Sequence, residues 1–141
     1  FAQHNISYDR LRWDGKTPRK EYFEAYNKID IALSPFPYAG STTSIEGLWM
    51  GVPVLTLEGN NCVSNVGDLI NQNIGLSDWI AGDNNEYIEK AKKFASGIEY
   101  LSKLRNNLRK EVLSSPLFVS EKFTRYFQEA LWTMWKNWKD N

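Results

Sequence analysis

Apolar residues along this chain follow two rhythms. Residues 29–33 (Ile-Asp-Ile-Ala-Leu) and 52–57 (Val-Pro-Val-Leu-Thr-Leu) are short and almost wholly apolar, the composition of strands covered on both faces. Elsewhere apolar side chains recur at the period of a helix with one buried face. Tyr22, Phe23, Tyr26 and Ile29 mark one such face, and Leu69, Ile70 and Ile74 a second. Tyr87, Ile88, Ala91, Phe94 and Ala95 mark a third, while Ile98, Leu101, Leu104, Leu108 and Val112 form a narrower stripe. The last face, running from Phe123 through Tyr126, Phe127, Leu131 and Trp135 to Trp138, is wide and aromatic, suited to a core helix or to a bridge onto a partner lobe. Residues 10–13 alternate polar and apolar side chains and predict a short strand, and residues 76–80 predict an edge strand or a turn. Helices alternating with strands argue for an α/β fold with a mostly parallel sheet and right-handed crossovers.

Punctuation supports these boundaries. Thr17-Pro18 predicts a helix start, with Thr17 at the cap and Pro18 in the first turn. Asp83 and Glu86 have the spacing of a capping box, Gly97 ends that helix, Ser115-Pro116 breaks the chain, and Ser120 is expected to cap the final helix. Residues 1–5 carry no start signal and read as the tail of a helix, so the chain is expected to be a fragment of something longer.

The chemistry gathers in residues 34–54. The prolines at 35 and 37 end the first strand, Gly40 lets the backbone turn, and Ser41, Thr42 and Thr43 bring hydroxyls and free N–H groups to a helix start. A helix start carries unpaired donors and the positive end of the dipole, so it favours anions, phosphate above all. Glu46 follows about one turn later, placed to accept hydrogen bonds from a pair of ligand hydroxyls. The competing interpretation is a plain hydroxyl cap with Glu46 offsetting the same dipole. Gly51 and Pro53 close this helix. Residues 58–62 then form a polar loop on the side of the sheet where open α/β folds bind ligands, and Ser64 to Gly67 open a further helix. His4, the only histidine, has no partners clustered near it for metal or acid-base work, and Cys62 has no neighbouring base to make it a nucleophile.

The 141 residues fit one domain with a core, and 17 basic against 17 acidic side chains leave no field to attract nucleic acid or anionic lipid. Lys103, Arg105, Arg109 and Lys110 share their helix with Glu99 and Glu111 and read as a solvated face. One cysteine excludes an internal disulfide, and no apolar run approaches the roughly 20 residues a membrane span needs. These features lead us to expect a soluble, cytoplasmic protein.

Residues 36–43 (Phe-Pro-Tyr-Ala-Gly-Ser-Thr-Thr) and 46–57 (Glu-Gly-Leu-Trp-Met-Gly-Val-Pro-Val-Leu-Thr-Leu) resemble the O-linked N-acetylglucosamine transferase and SPINDLY-like glycosyltransferases, especially bacterial ones linked to tetratricopeptide repeats. Glu86-Tyr87, Leu104-Arg105, Leu108-Arg109, residues 114–118 and Met134-Trp135 fall where that family has its closing helices. The resemblance implies a three-layer, Rossmann-like parallel sheet with helices on both faces. It makes residues 1–141 a partial C-terminal, nucleotide-sugar-binding lobe of a GT-B glycosyltransferase with additional C-terminal helices. It also places residues 11–13 at the third strand and 31–33 at the fourth of a sheet ordered 3-2-1-4-5-6. Chain expected between those strands is missing, so the fragment alone should bind nucleotide weakly and have exposed edges prone to self-association.

By the same resemblance, Thr42 and Thr43, with Gly40 and Ser41, face a diphosphate, Glu46 faces the ribose hydroxyls, and Arg19 and Tyr22 lie near the base or the diphosphate. Tyr22 stands where animal enzymes carry histidine, Glu46 where they carry aspartate, and Ser34 and Ala39 where bacterial relatives usually carry Asp and Asn. The family's lysine on the diphosphate falls upstream of Phe1. The implied reaction is inverting transfer of N-acetylglucosamine from UDP-GlcNAc to a serine or threonine hydroxyl of a protein acceptor, without metal or cofactor. A GDP-fucose donor and a non-catalytic nucleotide-binding or interaction module are the alternatives. No residue here presents itself as the general base.

Overall fold

The central strand is β2 (Val54–Leu57), which pairs in parallel with β1 (Ala32–Leu33) on one side and β3 (Ile80–Ala81) on the other. A computed structural model describes residues 1–140. Register sets Ala32 opposite Val54 and Thr56 opposite Ile80, so the strand order is β1-β2-β3. Helix α1 (Arg19–Ala25) precedes β1, α2 (Thr42–Trp49) joins β1 to β2, and α3 (Val66–Asn73) with a 3-10 turn (Ser77–Trp79) joins β2 to β3. Helices α4 (Asn84–Ser96), α5 (Ile98–Ser114) and α6 (Ser120–Lys139) follow.

Both faces of β2 are covered. Val54 and Thr56 face α2 and α3, for a Cβ built on Gly47 would lie 3.7 Å from Val54 and one on Gly67 only 2.2 Å from the Thr56 hydroxyl. Leu55, on the opposite face, is fully buried, and α4 packs on β2 and β3. The expected α/β architecture with helices on both faces is therefore present. Trp79 stacks on Phe94 at 4.0 Å and donates its indole N–H to the Tyr100 hydroxyl, joining the turn before β3 with α4 and α5 in one aromatic column. Asn71 of α3 is buried and donates to the carbonyls of Val54 and Trp79 at 2.9 and 3.2 Å. Gly51 and Gly75 take φ of +78° and +77° after α2 and α3, where a side chain would be strained.

Several expectations are corrected. Residues 10–13 form no strand. A 3-10 turn (Tyr8–Arg10) leads into extended backbone that finds no sheet partner among the described residues, and Trp13 stays exposed against the edge of Phe1. Residues 1–5 contain a 3-10 turn (Ala2–His4) closed by Asn5 in the left-handed region, not the end of an α-helix. The first strand shrinks from 29–33 to Ala32–Leu33: its ladder to β2 begins where the Ala32 N–H meets the Pro53 carbonyl, and Pro53 has no N–H with which to extend it toward residue 30. Thr17 and Ser120 do not cap. Pro18 and Val119 occupy those positions, without side-chain bonds. Leu69, Ile88 and Ile98 point to solvent, and α6 buries no residue at all. The capping box does form, shifted by one position: Asp83 accepts from the N–H groups of Asn85 and Glu86, while Glu86 accepts from Gly82 rather than from the cap itself.

Replacing Asn71 by Leu strands two buried carbonyls between α3, β2 and the turn before β3. Urea unfolding of the variant is expected to show a loss of about 2–4 kcal/mol, within the usual cost of two unmet acceptors.

Candidate functional site

The loop from Ser34 to Ser41 and the first turn of α2 are held by short local bonds. Ser34, at the end of β1, accepts the Gly40 N–H on its hydroxyl at 3.0 Å, and its carbonyl accepts the Tyr87 hydroxyl at 3.1 Å. Burial raises the Tyr87 phenol above its ordinary pKa, so it remains a donor there. The Ser44 hydroxyl reaches back to the Gly40 carbonyl at 2.9 Å, and a Cβ on Gly40 would lie 2.7 Å from that hydroxyl and 2.9 Å from the Thr43 hydroxyl. A side chain at residue 40 would thus displace these two hydroxyls, while the nearest backbone atom, Ser44 N, stays at 3.7 Å.

Ser41 occupies the cap position but makes no capping bond with its side chain; its carbonyl accepts the first helical N–H, from Ile45. Thr42 and Thr43 are the first two helical residues and are exposed. The hydroxyl cap expected from sequence is therefore absent. What the helix start offers is its N–H groups at Thr42, Thr43 and Ser44, which have no acceptor within the helix.

Two of the candidate residues converge on a third, Glu46. Tyr22 of α1 donates to its Oε2 at 2.8 Å, and the Arg19 guanidinium lies 3.8 Å from its Oε1. The Tyr26 hydroxyl is 2.6 Å from that of Tyr22 and 3.3 Å from the Thr43 carbonyl, so α1 and α2 are tied at the same level. Burial, then the Tyr26 hydroxyl and the Glu46 carboxylate, hold the Tyr22 phenol far above its ordinary pKa. Arg19 is largely exposed and also lies over the Phe23 ring at 5.0 Å.

A second feature was signalled in the sequence only as a polar loop. An open cleft of about 420 Å³ lies at the carboxyl ends of the strands, lined by Phe36, Ala39, Glu58, Gly59, Asn60 and Gly82 among others. Its 59–61 loop is held by Ser64, whose hydroxyl accepts the N–H groups of Asn60 and Asn61, and by Asp68, which accepts that of Gly59. Ser64 thus orders this loop, and α3 starts after Asn65. Cys62 is free and exposed, and no group of three or more metal-ligating side chains occurs among the described residues. No helix among them is long and apolar enough to cross a membrane.

Parallel strands joined by crossover helices, with a ligand-accessible helix start and a cleft at their carboxyl ends, define an α/β lobe of the doubly wound kind. The chain belongs to glycosyl transferase family 41, whose family model matches residues 1–127. It is 40% identical over 120 residues to a protein of Solanum lycopersicum named Probable UDP-N-acetylglucosamine–peptide N-acetylglucosaminyltransferase SPINDLY, and 37% identical over 118 residues to its namesake in Arabidopsis thaliana. These alignments cover 85% and 84% of this chain but 13% of each relative, so the chain spans about an eighth of their length. Among solved structures it matches an O-GlcNAc transferase of Thermobaculum terrenum with a TM-score of 0.86 and 33% identity, over 96% of this chain and 26% of that one. The fold is that of the GT-B glycosyltransferase.

Asp68 generates a prediction. Burial is the main cause that raises its pKa, the Gly59 N–H opposes it, and Glu58 adds to it. The folded chain therefore holds this proton more tightly than the unfolded one. Stability is lost as pH rises from the ordinary carboxylate range through the folded-state pKa, and is not regained above it. Asp68→Asn keeps an acceptor for Gly59 without the charge. Its melting temperature relative to wild type should be higher at pH 7 than at pH 4, measured by scanning fluorimetry across that range.

Proposed function

We propose that this chain is the donor-binding part of a protein O-glycosyltransferase, using UDP-N-acetylglucosamine and modifying serine or threonine hydroxyls. The observation that carries the proposal is the placing of Glu46 one turn beyond the free N–H groups of Thr42 and Thr43, with Tyr22 and Arg19 gathered on its carboxylate. A diphosphate fits the helix start, and a ribose diol fits the carboxylate. The names of the plant relatives and of the solved structure support this donor and a peptide acceptor.

In the proposed reaction the acceptor oxygen attacks the anomeric carbon from the face opposite the phosphate. The carbon–phosphate-oxygen bond breaks, UDP leaves with the electron pair, and the configuration inverts. Negative charge grows on the leaving diphosphate, where the N–H groups at Thr42 and Thr43 are aimed to receive it without a metal. We assign no side chain of this chain as the base that takes the hydroxyl proton. The acceptor is expected on other parts of the protein, and the bare aromatic face of α6 suits a bridge onto a second lobe. Release of UDP from UDP-GlcNAc with a serine peptide, unaffected by a chelator and yielding the inverted linkage by NMR, tests the reaction. Parallel assays with GDP-fucose decide the donor.

Glu46→Ala in the whole protein is expected to weaken nucleotide binding by about 1–3 kcal/mol, the range for a hydrogen bond to a charged group. Calorimetric titration checks this, and unchanged affinity in a folded variant would reduce Glu46 to a partner of the helix dipole.

A further inference from the structure

We infer that Tyr22 and Tyr26 are positioning residues that fix the Glu46 carboxylate for a ribose diol, so that discrimination between a ribonucleotide and its 2′-deoxy form depends on two phenol hydroxyls. This inference rests on the proposed nucleotide site at Glu46.

Proton counting fixes the direction of both bonds. Each phenol has one proton. Tyr22 commits its own to Glu46 Oε2 at 2.8 Å, so in the 2.6 Å contact between the two hydroxyls Tyr26 is the donor and Tyr22 the acceptor. The relay runs from Tyr26 through Tyr22 to Glu46. The Thr43 carbonyl, 3.3 Å from the Tyr26 hydroxyl, is the alternative acceptor for the same proton. The raised pKa of Tyr22 keeps that phenol a donor at neutral pH.

Packing fixes the relay in space. The two rings meet edge-to-face with centroids 5.4 Å apart, and Tyr26 lies against Gly47 of α2. A Cβ on Gly47 would stand 3.3 Å from Tyr26 Cε1. The glycine next to Glu46 in sequence therefore admits the ring that begins the relay.

The consequence falls on the carboxylate. An unheld glutamate side chain would have to give up rotamer freedom when a diol binds, which reduces affinity. Here Oε2 is already anchored, and Oε1 meets only the loose, exposed Arg19 contact at 3.8 Å. Oε1 can take one diol hydroxyl while Oε2 retains a lone pair for the other. A ligand lacking the 2′-hydroxyl can fill only one of these two acceptors, so the larger benefit of the relay belongs to the diol.

The test uses the whole protein, titrated calorimetrically with UDP and GDP, each against its 2′-deoxy form. Wild type is expected to prefer the ribose form of the nucleotide it binds. Tyr22→Phe should weaken that ribose form by roughly five- to twentyfold while leaving the deoxy form within about twofold, since the carboxylate, no longer held, must then give up its rotamer freedom when the diol binds. Tyr26→Phe should move the ratio the same way by less. This variant also serves if Tyr22→Phe fails to fold. Equal weakening of both forms, or an unchanged ratio in both phenylalanine variants, would overturn the inference by making the tyrosines packing residues only. Glu46→Ala separates the two levels. If it abolishes the ribose preference while the phenylalanine variants do not, the nucleotide site stands and the relay fails. A ribose preference that survives Glu46→Ala removes the site and the relay together.

Discussion

The structure depends on β2 being taken out of water on both faces. A strand of four residues contributes little by itself, and only the helices packed above and below make its burial possible. Its polar content is the cost. The Thr56 hydroxyl, pressed against Gly67, finds no hydrogen-bond partner, and the backbone beside it needs the Asn71 amide to satisfy two carbonyls. The two glycines that allow this approach, Gly47 and Gly67, stand in α2 and α3, the helices that flank the candidate site. Close helix–strand packing and placement of the site are thus one constraint. The depth at which α2 sits on β2 also decides where its first turn and Glu46 emerge.

From that position the loop before α2 has little freedom. Ser34 holds Gly40 at one end, Ser44 holds it at the other, and Tyr87 anchors the Ser34 carbonyl from α4. The hydroxyls of this segment are divided by this arrangement. Ser34 and Ser44 are consumed in holding the turn, whereas Thr42 and Thr43 remain exposed. Electrostatic preorganisation in such a loop comes from backbone N–H groups held in place, and side-chain hydroxyls that serve the backbone help by fixing those donors.

The legible parts of the sequence were those governed by short-range rules. The strand at 54–57, the helices after Asp83 and Gly97, and the stop at Gly51 follow from periodicity, capping and φ requirements, all local properties. The gathering of Arg19 and Tyr22 on Glu46 was foreshadowed only by family resemblance, since nothing within reach of one turn connects residues 24 or more positions apart. The Tyr26 contribution was misread as core, because a tyrosine on an apolar face looks the same whether its hydroxyl is idle or bonded. The failures share a cause as well. Residues 11–13 and 29–31 have strand-like composition, but a strand exists only when another supplies its ladder. Leu69, Ile88 and Ile98 keep helical spacing while the packed faces turn slightly away from them.

The aromatic face of α6 makes the same argument from the other side. Phe123 and Phe127 stack at 5.8 Å and Trp132 meets Trp135 edge-on at 5.5 Å, yet these rings contact one another and water rather than a core. The cations along the helix partly shield them, with Arg125 over Tyr126 and Lys139 over Trp135 at 5.0 and 5.5 Å. A patch of this size is costly to leave in water, and its rings would gain most of their burial from a surface outside these residues. The relatives contain about eight times this chain's aligned length, so such a surface is available to them within one polypeptide. A lobe with a cleft at the carboxyl ends of its strands and an apolar helix elsewhere can be held against a second lobe without covering that cleft. That division fits the transfer proposed above for the whole protein, in which donor and acceptor meet between two bodies that open to release product.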